Sequence, residues 1–175
     1  ESKSYLEIFF MKFSIINTTK ADLGEILILN QLAIPAVSNV TIDEMSKFLE
    51  IADYFKSIII ENIVAGFLIA LHPGKDYHSL NYKWFEKRYK SFIYVDRIVI
   101  GSSYRGNGLG KAFYNDLAIF AKHKTDDITC EVNIRPKNKG SIIFHKKYGF
   151  CEVGTQATEN GKKEVSLMKY KITSV

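Results

Sequence analysis

Three glycines within five positions, in the run Arg105-Gly106-Asn107-Gly108-Leu109-Gly110-Lys111, separate an apolar stretch at residues 92–100 from another at residues 109–120. Glycine weakens the interior of both helices and strands, so this run is a turn. The stretch before it is rich in β-branched and aromatic residues and predicts a strand over residues 92–100. After it, Leu109, Ala112, Phe113, Leu117 and Phe120 share one helical face and predict a helix over residues 108–122. A helix that begins at such a turn directs unpaired N–H groups and the positive end of its dipole outward, with no Cβ to hold an anion away. The run reads as a phosphate cradle.

The other elements follow from periodicity and punctuation. Residues 13–16 predict a short strand. Asn17, Thr18, Thr19 and Asp22 then offer caps before Leu23, Ile26, Leu27, Leu29, Asn30 and Leu32 at helical spacing, which Pro35 ends. Thr41, Asp43 and Glu44 cap a second helix carrying Met45, Phe48, Leu49 and Ala52. Strands at residues 56–60 and 63–71 form a tight hairpin about Glu61-Asn62. Residues 127–132 predict a strand, residues 141–148 a helix stopped by Gly149, and residues 150–153 with 165–170 a closing hairpin. Consecutive strands in the first half call for antiparallel pairing, whereas the strand-turn-helix-strand unit about Gly106 calls for a parallel crossover. The expected class is α/β, a mixed, mostly antiparallel central sheet of about six to seven strands with helices on both faces.

A chain of 175 residues, 46% hydrophobic, holds enough apolar surface for one core, and residues 11–175 are expected to form one domain. Met11-Lys12-Phe13 reads as a possible start, with residues 1–10 an extension. The net charge of +5 favours an anionic ligand and is modest for a nucleic-acid binder. Cys130 and Cys151 lack metal-ligand spacing, and His72, His78 and His123 are scattered, so free thiols and no metal site are expected. The uncharged run at residues 63–71 is too short to span a bilayer, and a cytoplasmic protein without membrane partners is the expectation.

Two phosphate motifs can be excluded. A Walker loop needs four residues between its glycine and its Gly-Lys pair, but only Asn107, Gly108 and Leu109 separate Gly106 from Gly110. A dinucleotide fingerprint needs glycine where Lys111 stands. Instead, the segment from Arg105 to Gly110, preceded by Ile98 and Ile100, resembles the [QR]-x-x-G-x-[GA] signature of the GNAT superfamily of acyl-CoA-dependent N-acyltransferases. Asn138, Ser141, Phe144, His145, Gly149 and Phe150 resemble its second signature, N-x-x-A-x-x-[LF]-Y-x-x-x-G-F, and the resemblance extends over residues 13–171.

That resemblance implies transfer of an acetyl group from acetyl-CoA directly to a primary amine, on a small molecule or a protein. It places the pyrophosphate on the amides of Arg105, Gly106, Asn107, Gly108, Leu109, Gly110 and Lys111, with Arg105 adding charge. The pantetheine arm would run beside Ile98, Val99 and Ile100, with Asn138 and Ser141 as further contacts and Lys137, Lys139, Lys146 and Lys147 near the adenosine-side phosphates. The signature's tyrosine, the usual acid toward the leaving sulfur, is replaced here by His145, which could act as that acid, orient the cofactor or serve a structural role. A CoA-binding module without catalysis is the alternative that this replacement motivates.

For the base, strict alternation puts Tyr94, Asp96 and Ile98 on one strand face, and Asp96 is the first candidate, with an ion pair to a neighbouring Arg or Lys as its structural alternative. Glu131 and Asn133 are secondary candidates beside the acceptor. The segment from Tyr77 to Tyr94 interleaves aromatic and basic residues. It is read as a wall over the acceptor site or a dimer surface, with Tyr82, Trp84 and Tyr94 toward the substrate, rather than as a platform for nucleobases. Tyr82, Phe85 and Tyr89 at helical spacing could equally be core. Monomer and homodimer are both compatible with this reading.

Overall fold

A computed structural model describes residues 11–172; residues 1–10, with the expectation of an extension there, lie outside them. The elements run β1 (Ser14–Asn17), α1 (Leu23–Leu32), α2 (Ile42–Ile51), β2 (Tyr54–Ile60), β3 (Ile63–Leu71), α3 (Leu80–Glu86), β4 (Ile93–Ile100), α4 (Leu109–Ala121), β5 (Asp127–Arg135), α5 (Lys139–Tyr148), β6 (Cys151–Thr158) and β7 (Lys163–Lys171). They build a seven-stranded sheet in the order β1-β2-β3-β4-β5-β7-β6, antiparallel throughout except at β4 and β5. This is the mixed, mostly antiparallel α/β sheet that the sequence predicts.

Local chemistry explains the junctions. Glu61 and Asn62 both take positive φ, as a two-residue hairpin turn between right-twisted strands requires. Thr41 accepts from the Glu44 N–H while Glu44 reaches back to the Thr41 N–H, a reciprocal cap that starts α2. From Val64 to Leu71, β3 is buried on both faces, so its sequence shows no alternation.

Two apolar layers flank the sheet. On one side Ile58, Leu68, Val95 and Ile128 meet Phe113, Tyr114 and Leu117 of α4. On the other, Phe67, Ile69 and Val99 meet Ile26 of α1, Met45 and Phe48 of α2, and Tyr82 and Phe85 of α3. The helical reading of Tyr82 and Phe85 is therefore the one observed, with both fully buried. β6 runs to Thr158, five residues beyond the predicted strand, because pairing with β7 extends to Thr158↔Lys163.

Two irregularities position the site. β4 and β5 pair only at Ile93↔Ile128 and Tyr94↔Thr129, after which β4 continues along β3 and β5 along β7. A wedge opens between them. The second is a bulge: Ile69 pairs with Arg97 but Ala70 pairs with Val95, leaving Asp96 as an extra residue. The bulge corrects the strict alternation expected for this strand: Arg97 and Val99 join Tyr94 on the α1/α2 side, while Ile98 and Ile100 join Val95 on the α4 side.

Candidate active site

The wedge is the mouth of a cleft of about 1600 Å³, lined by β4 from Val95 to Ile100, by Cys130 through Asn133 of β5, and by the turn before α4. Along β4, the backbone groups facing β5 have no strand partner past Tyr94.

At the turn, Gly106 and Gly108 take left-handed φ of +79° and +76°, and a Cβ on either would meet no protein atom within 4 Å. Both would fill open space beside the amides of the turn. Gly110 corrects the uniform reading of the three glycines: a Cβ there would lie 2.8 Å from Phe144 Cζ, so its missing side chain lets α4 and α5 approach. The Arg105 Nε donates to the Ile100 carbonyl at 3.0 Å and Asn107 Nδ2 to the Tyr104 carbonyl at 3.0 Å, which fixes the turn. The first α4 bond runs from the Ala112 N–H to the Gly108 carbonyl, leaving the amides of Leu109, Gly110 and Lys111 free of the helix ladder. Asn138 caps α5 by accepting from the Ser141 N–H at 3.2 Å.

Glu131 sits in the wedge. Its Oε1 accepts from the Tyr94 hydroxyl at 2.8 Å, while Oε2 is buried with no hydrogen-bond partner among the described residues. Burial first, and then the negative charge of Asp96, push its carboxyl up to about 8, against the lowering effect of Tyr94, Asn81 and Arg97. Such a group holds its proton at neutral pH and releases it just above.

Asp96 is differently placed. Its carboxylate accepts from Tyr77 through Oδ1 and from Arg97 Nε through Oδ2 at 2.6 Å, with both side chains of the ion pair only 4% exposed. Arg97 also donates through Nη1 to Asn30 Oδ1 at 2.8 Å and lies over the Phe48 ring, so the pair is built into the packing of α1 and α2.

His145 is 3% exposed among Tyr114, Phe144 and Phe150. Its Nδ1 lies 2.7 Å from the Ser141 carbonyl, which can only accept, so Nδ1 carries the proton. Burial lowers the imidazole below its ordinary range, Nε2 is left as a lone pair, and the Tyr114 hydroxyl donates to it at 2.7 Å. Tyr114 could not be read from the second signature, because it belongs to α4.

The structure brings Asp96, Glu131, Asn133, Asn138, Ser141 and His145 to one cleft. Asn133 Nδ2 donates to the Pro35 carbonyl at 2.9 Å and ties the loop after α1 across β5. Tyr94 stands behind Glu131. Tyr82 and Trp84, expected toward the substrate, do not line the cleft: Tyr82 donates to the His72 carbonyl within the core, and Trp84 packs on Gly154 and under Arg88.

Residues 36–150 match the model of the acetyltransferase (GNAT) family. The chain belongs to the GNAT acetyltransferase family. Solved structures with the same fold include the ribosomal-protein-S18-alanine N-acetyltransferase from Escherichia coli, with 16% identity, a TM-score of 0.69 and 94% and 96% of the two chains covered. Ard1 from Thermoplasma volcanium gives 15%, 0.74, and 93% and 99%. NAA60 from Arabidopsis thaliana, solved in complex with acetyl-CoA, gives 14%, 0.73, and 92% and 100%. No curated protein sequence matches the chain. GNAT enzymes use acetyl-CoA, and no helix among the described residues is long and apolar enough to cross a membrane.

Proposed function

We propose that this GNAT protein transfers an acetyl group from acetyl-CoA to a primary amine of a small molecule or protein, with Glu131 as general base. The supporting observation is the buried Glu131 Oε2, left without a partner where β4 and β5 part. Bound acetyl-CoA supplies an acyl carbon activated as a thioester. The amides of Leu109, Gly110 and Lys111, with Arg105, suit its pyrophosphate, and the free edge at Ile98, Val99 and Ile100 suits its amide-bearing arm. Glu131 takes a proton from the arriving ammonium, directly or through one water, and free N–H groups on the same edge suit the charge developing on the acyl oxygen. As the C–N bond forms the C–S bond breaks, and the thiol product takes the remaining amine proton. Thiol release from acetyl-CoA across an amine panel tests the reading; cofactor binding with no turnover for any amine would favour the non-catalytic module.

Asp96 then acts as the charge that sets Glu131 rather than as the base. With Asp96→Asn one acceptor position and the charge are lost, Arg97 is left uncompensated, and both changes favour ionised Glu131. The acid limb of kcat/KM is expected to move to lower pH. If Asp96 were itself the base, the same variant would instead lose activity most at low pH.

His145 is assigned to positioning Tyr114. His145→Ala strands the Tyr114 hydroxyl and opens a cavity, for an expected loss of roughly 2–4 kcal/mol in urea unfolding. The residual activity should keep its basic limb; disappearance of that limb would make His145 the acid toward sulfur.

A further inference from the structure

We propose that the acceptor is a primary amine carried on an uncharged, apolar body that rests on Leu32, Ile34 and Leu80 while its nitrogen meets Glu131. The proposal rests on the acetyl-transfer reading and specifies its substrate class. Leu32, Ile34 and Leu80 are 77%, 44% and 63% exposed, and all three line the same cleft. They come from separate elements, the end of α1 with its following loop and the start of α3. Single exposed leucines are ordinary, but large apolar side chains converging on the rim of a polar cleft mark a surface that is covered in use. The loop between them and β5, from Ala33 to Val37, carries no charge.

The groups around Glu131 disfavour the main competitors. A free amino acid would bring its carboxylate within two bonds of the carbon bearing its nitrogen, beside Glu131 and Asp96. Arg97, beside them, is 5% exposed and already committed to Asp96, Asn30 and Ser38, and the other cations lining the cleft stand at the turn into α4, on or just before α5 and at the start of β7. A polyamine or aminoglycoside needs further carboxylates. Among the described residues lining the cleft the acids are Asp96, Glu131 and Glu159; both oxygens of Asp96 are engaged, and Glu159 lies in the turn between β6 and β7. One ammonium is matched, and the rest of the acceptor meets apolar surface.

A small apolar amine and a peptide N-terminus with apolar leading residues share this chemistry. The test uses the full chain with phenethylamine, leucinamide, a Leu-Leu peptide amide, leucine and spermidine. Thiol release is followed with acetyl-CoA, and binding to the CoA-loaded protein by calorimetry. The first three are expected to exceed leucine and spermidine by about tenfold or more in kcat/KM and in affinity. The peptide amide ranking above leucinamide would assign a protein N-terminus, and the reverse a small amine, either order supporting the apolar body. Leu32→Glu with Leu80→Glu should raise KM for phenethylamine about tenfold and leave KM for acetyl-CoA unchanged. Leucine or spermidine ranking first, or the double variant leaving phenethylamine unaffected, would overturn the proposal. Apolar amines that bind in the expected order without being acetylated would overturn the transfer reading alone.

Discussion

Glu131→Gln is expected to lower kcat/KM by about 10²- to 10⁴-fold, the usual span for loss of a general base, with little change in acetyl-CoA affinity. The pH profile carries the sharper signature. Wild-type activity should rise with pH through about 8, where Glu131 gives up its proton, and the variant should lose that limb and follow the amine's own ionisation. Stability should move the opposite way. A carboxyl raised from 4.5 to about 8 on folding binds its proton more tightly in the native state, so wild-type stability falls from pH 4.5 to 8 and is lowest above. The substituted amide carries no charge to bury, and the variant should out-melt the wild type most clearly above pH 8. A variant with full activity and an unchanged profile would remove Glu131 from the chemistry.

Gly108→Val is expected to weaken acetyl-CoA binding at least about 100-fold, the cost of displacing two charge-assisted bonds of roughly 1.5–3 kcal/mol each. The fold should survive. No protein atom lies within 4 Å of a Cβ at this position, so the native state bears only the left-handed φ of +76°, about 1–2 kcal/mol for a side chain. Calorimetry with acetyl-CoA, beside a thermal melt, separates these contributions. Retained affinity would mean that the pyrophosphate is held elsewhere.

The parts of the molecule legible in the sequence are those whose causes are local. Gly106 and Gly108 mark a turn because their φ values disfavour residues with a Cβ, and Glu61-Asn62 marks a hairpin because its two positions need the same left-handed region. Gly149 ends α5 at φ +125° as a helix stop does. Asp96 as a bulge was not legible: the extra residue is defined only by pairing with Ile69 and Ala70 on β3, far away in the chain. The weight that falls on Glu131 was hidden for a related reason. Its proton affinity comes from burial in the wedge and from Asp96 across it, and neither is written near residue 131. His145 reads as a titrating group in the sequence because the Tyr114 hydroxyl that occupies its Nε2 comes from α4, one helix earlier.

The extra residue in β4 also bears on how this strand can change over time. Replacing a side chain within it alters one contact, and removing the extra residue at 96 would leave Val95 opposite Ala70 and Arg97 opposite Ile69, whereas removing a regularly paired residue such as Ile98 would turn over the strand beyond it. With Ile98 removed, Val99 would swing from the α1/α2 layer toward the α4 layer and Ile100 the other way. Loss of one residue is therefore accommodated by the sheet register at 96 and not beyond it, a pattern that a deletion scan of the strand would make visible.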